Sequence, residues 1–248
     1  MSNLDDVLAS LGLDASRLQP VFPKWKDSPR RFALPGEQAL DGWRRLSRVA
    51  SGTQHWPVLL GGDEELRYIE EAGALGDTSP GEILQKARTI GAKTWFAERA
   101  GGDPEYYEVM HGAWPEQNTP NNRFSIPFTM GLEPEPLPRV HLALVPTDVP
   151  WEAPAYLRFG GWNECPFPEE HVAVFSYWYG LYGAVVVGIT HDVVEMEVAR
   201  PPATREAALE LAVEQFHYCA DIVAQGTQGV EALAASLVEA SVWYFWWD

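Results

Sequence analysis

The stretch Trp243-Tyr244-Phe245-Trp246-Trp247-Asp248 holds five aromatic residues in six positions. Leaving so much ring surface in water would cost several kcal/mol, so these residues are expected to be packed. Alternate residues of a strand point to opposite faces, and here both faces carry rings. The pattern therefore predicts a strand whose two faces are at least partly covered, and the C-terminal half is interpreted around it.

The periodicity before this stretch predicts a regular series of elements. In order they are a strand at Arg139–Pro146, a helix at Pro168–Gly183, a strand at Ala184–Thr190, a two-residue turn at His191-Asp192, a strand at Val193–Ala199 and helices at Thr204–Val223 and Gly229–Ala240. Strand, helix, strand, strand, helix, extra helix, strand is the order of a ferredoxin-like (split βαβ) sandwich. In that fold the last strand pairs beside the first, and we expect the N-terminal half to cover this aromatic edge.

Three regions follow from the composition. Residues 1–115 are predicted to form an acidic N-terminal α/β half, with much of the negative charge between Gly61 and Met110. It includes a strand at Trp56–Gly61, where Pro57 favours a first or edge position, and a helix from Pro80 with a Ser79–Glu82 capping box. Residues 116–138 are a Pro-rich crossover laid along a surface, and residues 139–248 are the ferredoxin-like domain. The fold class is α+β.

The chain of 248 residues has 18 basic and 35 acidic residues, a net charge of −17. This balance opposes binding to nucleic acid or to an anionic membrane. There is no apolar run of the length that spans a bilayer, and the N-terminus lacks a hydrophobic signal core, so a cytoplasmic location is expected. Two cysteines, Cys165 and Cys219, are too few for a disulfide scaffold.

Several strings within the C-terminal region resemble the bacterial family called domain of unknown function 4253. They are Trp151–Tyr156, Phe159–Pro166, Glu170–Val174, Ala199–Pro202, Tyr218-Cys219, Asp221–Val223 and Trp243–Asp248. The resemblance covers roughly Val140 to Asp248. It implies a family and no activity. Where the family pattern has Pro after Tyr-Cys, this chain has Ala220, which would let the helix continue.

The loop from Phe159 to Cys165 is the strongest ligand-binding candidate in the sequence. Gly160 and Gly161 allow backbone shapes that other residues avoid, while Trp162 and Asn163 offer a ring and an amide to a ligand. The alternative is a structural turn with Trp162 in the core. The loop lacks the spacing of a phosphate-binding loop.

A metal site is a second candidate. Cys165, His171, Cys219 and Asp221 include ligand types that suit zinc, although their spacing matches no recognised finger pattern. The alternative is that the thiols and the imidazole are buried packing groups. His191-Asp192 is either an acid–base pair or a simple turn. Glu195 and Glu197 are expected on a solvated strand face, the alternative being that they bind a cation or a basic partner.

Two functions remain open. The first is a non-catalytic acidic module of the immunity or scaffold type that binds a basic protein partner. The second is a metal-dependent hydrolase or other enzyme that uses the Gly160-Gly161 loop with Cys165, His171, Cys219 and Asp221.

Overall fold

The computed structural model describes residues 4–73, 77–102 and 108–248, so part of the acidic stretch between Gly61 and Met110 lies outside the described residues. Its α-helices are α1 (Leu4–Ser10), α2 (Gly36–Ser47), α3 (Ala50–Thr53), α4 (Asp63–Gly73), α5 (Pro80–Ala87), α6 (Ala92–Gly102), α7 (Ala153–Leu157), α8 (Pro168–Tyr182), α9 (Arg205–Tyr218) and α10 (Val230–Leu237). Short 3-10 helices at Ala15–Arg17 and Pro150–Glu152 and a π-helix at Ile222–Thr227 complete the helical segments among the described residues. Its strands are β1 (Gln19–Pro20), β2 (Arg30–Leu34), β3 (Trp56–Gly61), β4 (Val140–Val145), β5 (Ala184–Ile189), β6 (Val193–Val198) and β7 (Val242–Trp246). Within these ranges no helix has the length and apolar character needed to cross a membrane.

Local signals set several helix ends as the sequence predicts. The capping box at the start of α5 is present, with the Ser79 side chain and the Glu82 side chain each bonding the other residue's backbone. Gly183 ends α8 in the left-handed region at φ 63°. The Thr204 hydroxyl accepts the Ala207 N–H at the start of α9.

The end of α9 differs from the prediction. The helix ends at Tyr218, and Cys219 is extended, with φ −145° and ψ 90°, so Ala220 does not let the helix continue to Val223. The Cys219 thiol instead donates to the carbonyl of Trp246, 3.0 Å away. Because α9 ends at Tyr218, the Cys219 side chain lies beside β7, where its thiol gives the Trp246 carbonyl a hydrogen-bond donor.

All seven strands form one mixed sheet in the order β1-β2-β4-β3-β5-β6-β7. This is not the order of a ferredoxin-like sandwich, in which the last strand pairs with the first. Here β7 is antiparallel to β6, and β3 lies between β4 and β5. The mixed α/β character is confirmed, but the pairing that the element order suggested is wrong because a strand from the N-terminal region occupies the central position.

β3 occupies that central position despite Pro57. All six of its residues are buried, β4 and β5 lie on either side, and Pro57 is its second residue, so the structure shows neither the predicted edge location nor the predicted first position. Pro57 lies opposite Leu144 of β4, and the register of β3 with β5 is at Leu59 opposite Gly188, two residues further along. The Pro57 carbonyl accepts the indole N–H of Trp43 on α2 at 3.0 Å.

The aromatic strand is packed as predicted. Trp243, Phe245 and Trp247 are each no more than 2% exposed. Trp178 of α8 stacks on Phe245 with ring centroids 5.5 Å apart and an interplanar angle of 8°. Tyr218 of α9 meets the same Phe245 ring edge-on at 4.8 Å. Helices α8 and α9 therefore cover one face of β7, and their aromatic contacts form much of the core.

Hydrogen bonds to a buried carboxylate attach the Pro-rich crossover to the sheet. Glu195 on β6 has no exposed surface and accepts bonds from the Ser125 hydroxyl at 2.7 Å and the Ile126 N–H at 3.2 Å. The expectation that Glu195 lies on a solvated face is wrong, because the crossover covers that face. Burial raises the pKa of Glu195, while the bonds from Ser125 and Ile126 oppose this rise.

The crossover also bonds to the start of β7, whereas the sequence assigned contact with this strand to the N-terminal half. The carbonyl of Asn121 accepts the Val242 N–H at 3.1 Å. Phe124 and Ile126 are buried, whereas Met130 and Leu132 project from the crossover with exposed side chains. The outward N–H at the start of β7 is therefore already bonded within the protein.

We predict that Glu195→Ala lowers the free energy of unfolding by about 3 kcal/mol, because it leaves the backbone N–H groups of half-buried Ser125 and buried Ile126 without an acceptor. Limited proteolysis should then cut the crossover faster. Urea unfolding of Glu195→Ala beside Glu197→Ala is the measurement, since Glu197 lies on the same strand but is half-buried. Equal effects of the two substitutions would refute the role of Glu195.

Candidate functional site

The predicted ligand loop is a tight turn that closes over the start of α8. Gly160 and Gly161 have φ of 111° and 86°, a region that favours glycine. The Gly161 N–H donates to the Pro166 carbonyl at 2.9 Å, and the Cys165 N–H donates to the Trp162 carbonyl at 2.8 Å. The two glycines are thus needed for the closure of the loop.

The Trp162 ring and the Asn163 amide, the two groups of this loop predicted to contact a ligand, both make contacts within the protein. Trp162 packs edge-on against Phe159 with centroids 5.1 Å apart. The Asn163 amide donates to the backbone carbonyl of Asp248 at 2.6 Å. Both contacts fit the structural-turn alternative, with the loop holding the end of the chain in place. Ligand binding by Gly160, Gly161, Trp162 and Asn163 stays a prediction.

Gly160 nevertheless borders open space. A cavity of about 560 Å³ lies between this glycine, the start of α8 and the side chains of Lys86 and Arg158. Arg158 is stacked on Trp25, with its guanidinium carbon 3.9 Å from the ring centroid, and lies 3.7 Å from the Asp27 carboxylate. Its charge is therefore balanced within the protein.

His171 lies beneath the loop and is fully buried. Its Nδ1 is 2.6 Å from the Tyr218 hydroxyl and its Nε2 is 3.5 Å from the Cys165 sulfur. Burial, with a smaller effect of Arg99, lowers the pKa of His171 to about 3. The imidazole is neutral at physiological pH and serves as a hydrogen-bonded centre of the aromatic core.

The four predicted metal ligands are only partly brought together. Cys165 and His171 meet, whereas Cys219 bonds to Trp246, and the Asp221 carboxylate accepts the Asp248 N–H at 3.1 Å. Burial raises the pKa of both thiols, which opposes the thiolate form that binds metal or acts as a nucleophile. Zinc binding by this set stays a prediction.

A different group of ligand types gathers at the edge of the sheet where β3 and β5 end. Glu65 in the first turn of α4 meets His191 and Asp192 in the β5–β6 turn, and the three donor atoms all lie within 4.8 Å of one another. Nearby, His141 Nε2 donates to the Asp63 carboxylate at 2.7 Å. This bond from His141 lowers the pKa of Asp63, while burial lowers the pKa of His141 and the bond to Asp63 opposes that change.

The comparisons with known proteins concern the C-terminal part of the chain. Residues 141–248 match the family model described as Domain of unknown function (DUF4253). No curated protein and no solved structure matches the chain significantly. The resemblance seen in the sequence is thus confirmed for this part.

The DUF4253 region holds the loop, the His171 cluster and the His191-Asp192 turn. Glu65 and Asp63 lie outside it, on α4. Sequence reasoning singled out His191-Asp192 as a pair but missed Glu65, because Glu65 reaches that turn only through the parallel pairing of β3 with β5. The one available signal was the run Asp63-Glu64-Glu65 directly after a buried strand.

We predict that Gly160→Ala lowers the free energy of unfolding by roughly 2 to 4 kcal/mol. A Cβ on Gly160 would lie 2.0 Å from the Pro166 carbonyl oxygen and 2.7 Å from His171 Nε2. Gly180→Ala is the matched control, because a Cβ at Gly180 on α8 meets nothing within 4 Å and favours the helix. Urea unfolding checks both, and a neutral Gly160→Ala would contradict the tight closure.

We also predict that stability falls as the pH falls from about 6.5 to about 3, partly because of His171. Its pKa is lower in the folded chain than in the unfolded chain, so protonation stabilises the unfolded state. The contribution is complete above pH 6.5 and is lost through this window. His171→Phe should show a shallower dependence than wild type, measured by urea unfolding at several pH values. Equal slopes in His171→Phe and wild type would contradict the assignment.

Proposed function

We propose that the protein is an acidic binding module that engages a basic segment of a partner protein through the outer face of α4. The observation that supports this proposal is the concentration of negative charge around an exposed aromatic ring on this face. The helix contains one cation, Arg67, and five carboxylates: Asp63, Glu64, Glu65, Glu70 and Glu71. Tyr68 lies among them with 37% of its surface exposed.

The chemistry of this face fits recognition of a basic partner. Tyrosine is a frequent anchor in protein interfaces because it buries a large area at low entropic cost. Carboxylates around it raise the rate of encounter with a positively charged partner. The net charge of −17 acts in the same direction over longer distances. An immunity-type or scaffold role uses such a surface without chemistry at the site.

Some of the carboxylates on α4 are already paired with arginines of the protein. Arg31 lies 3.1 Å from Glu70, and Arg139 lies 3.3 Å from Asp63. Arg67 pairs with Glu64 and Glu71 at 3.7 and 3.5 Å. The pairs of Arg67 and Arg139 have side chains more than half exposed, so a lysine or arginine of a partner can replace these three contacts at little cost, whereas Arg31 is mostly buried.

The second candidate is a metal-dependent hydrolase or other enzyme built on the Gly160-Gly161 loop. The observation that favours it is the cavity of about 560 Å³ beside Gly160, whose volume suits a small molecule. A cytoplasmic location is proposed with either function, since Cys165 and Cys219 are both free thiols.

The test is fluorescence anisotropy with a fluorescein-labelled peptide of lysine, leucine and alanine, titrated at low and at physiological salt. We expect the double substitution Glu64→Lys and Glu71→Lys to weaken binding about tenfold, because it reverses charge on both sides of Tyr68. Tyr68→Ala should weaken binding at both salt concentrations, because its contribution is contact area and is not screened.

The matched control is the double substitution Glu206→Lys and Glu210→Lys on α9. Both residues are exposed and the change in net charge is the same. It should alter binding less than about twofold. Equal losses for the two double variants would show that the peptide senses only net charge, and the α4 face would then be rejected.

A further inference from the structure

Three potential ligands converge where β3 and β5 end. These strands are parallel, so their carboxyl ends lie at the same edge of the sheet. Helix α4 begins two residues after β3 and supplies Glu65 from its first turn, while the turn after β5 supplies His191 and Asp192. Crevices beyond the carboxyl ends of parallel strands are common binding positions in such sheets.

The imidazole lies between the two carboxylates. His191 Nδ1 is 3.3 Å from Asp192 Oδ1, and it also contacts Glu65 Oε2 directly. One nitrogen and two carboxylate oxygens thus point to the same small space, from two elements that are far apart in sequence. Such an arrangement is a mixed nitrogen and oxygen donor set, distinct from a cluster of acids alone.

We propose that Glu65, His191 and Asp192 bind a first-row divalent cation of the Zn²⁺ class. Zinc binds imidazole nitrogen and carboxylate oxygen at about 2.0–2.2 Å, which places two donors of a tetrahedral site about 3.4 Å apart. The distance from Nδ1 to Asp192 Oδ1 matches this spacing. Glu65 must draw back slightly to admit the ion, and its half-buried side chain has the freedom to do so.

The surrounding hydrogen bonds hold the ligands in the required orientation. The Thr190 hydroxyl donates to Asp192 Oδ1 at 3.0 Å, and the Trp246 indole N–H donates to Asp192 Oδ2 at 3.1 Å. The ring of Tyr68 packs against that of His191 with centroids 4.8 Å apart. Partners of this kind orient metal ligands and raise affinity. The aromatic strand β7 therefore contributes to the site through Trp246.

The ion would keep coordination positions open to solvent. The side chains of Glu65, His191 and Asp192 are 33%, 36% and 26% exposed, so the site is accessible from solvent. Three protein ligands with an accessible fourth position are the pattern of zinc sites that bind water or an anionic group. The ligand class that follows is a carboxylate or phosphate oxygen bound directly to the metal.

This site differs in chemistry from the cysteine-containing set predicted from sequence, and cobalt distinguishes the two. We would titrate the protein with Co²⁺ and then displace it with Zn²⁺, following visible absorption and calorimetry. We expect one equivalent of Co²⁺ with ligand-field bands and no sulfur-to-cobalt charge-transfer band. A charge-transfer band would place the metal on Cys165 or Cys219 and overturn the proposal.

Variants of the ligands complete the test. We expect His191→Ala and Asp192→Asn each to weaken Zn²⁺ binding about 100-fold or more, and Trp246→Phe to weaken it about 10-fold by freeing the Asp192 carboxylate. Asp192→Asn keeps the shape of the turn, so it decides the outcome even where His191→Ala does not fold. Unchanged affinity in Asp192→Asn would overturn the assignment.

The matched control is His111→Ala. It removes another histidine that contacts a carboxylate, Glu231 at 2.9 Å, and that has no third ligand grouped with it among the described residues. Zn²⁺ affinity should be unchanged in this variant, and an equal loss would show scattered surface binding. The α4 double variant, Glu64→Lys with Glu71→Lys, spares all three ligands, so metal binding and peptide binding can fail independently.

Discussion

The placement of β3 is the constraint on which the rest of the structure depends. Its six buried residues pair antiparallel with β4 on one side and parallel with β5 on the other. Residues from both sides of the crossover therefore share one sheet, and neither set of strands is complete without the other. The pairing also brings the start of α4 beside the β5–β6 turn. The candidate cation site is a direct consequence of this one strand.

The second organising feature is the polar centre of the aromatic core. His171 is buried among Phe159, Phe175, Tyr218 and Trp247, and its two nitrogens face a hydroxyl and a thiol. A buried imidazole without partners would be costly, so its neighbours are restricted to groups that can donate or accept. The glycine loop supplies one of them, Cys165, and closes the space above the ring. This part of the DUF4253 region is best explained by stability.

The acidic charge has two consequences that differ in range. Over tens of ångströms it attracts any basic protein and is screened by salt. Over a few ångströms, at Glu65 and Asp192, carboxylates on either side of an imidazole form a donor set for a cation. The two proposals use adjacent surfaces of α4, since Tyr68 both lies at the centre of the acidic face and packs against His191. A bound cation would reduce the negative charge beside the partner-binding face, which links the two sites electrostatically.

The sequence by itself determined the local features. Capping residues set the starts of α5 and α9, Gly183 ended α8, and the aromatic run at Trp243–Asp248 required a packed strand. These depend on short-range sterics and hydrogen bonding, which are encoded within a few residues. The sequence also carried the resemblance to the family and the requirement for glycine at Gly160 and Gly161.

Only the tertiary structure decided which strands are neighbours and which side chains meet. Periodicity shows that a strand has buried faces, but β-pairing joins residues at any sequence separation. The local pattern therefore predicted a first or edge position for Pro57 and a solvated face for Glu195. The crossover that buries Glu195, and the parallel pairing that brings Glu65 to His191, are long-range choices. The physical reason is that hydrophobic burial is non-directional and does not specify which strands become neighbours. Strand order is set by the arrangement of the whole chain that buries the most apolar surface while pairing the backbone N–H and C=O groups.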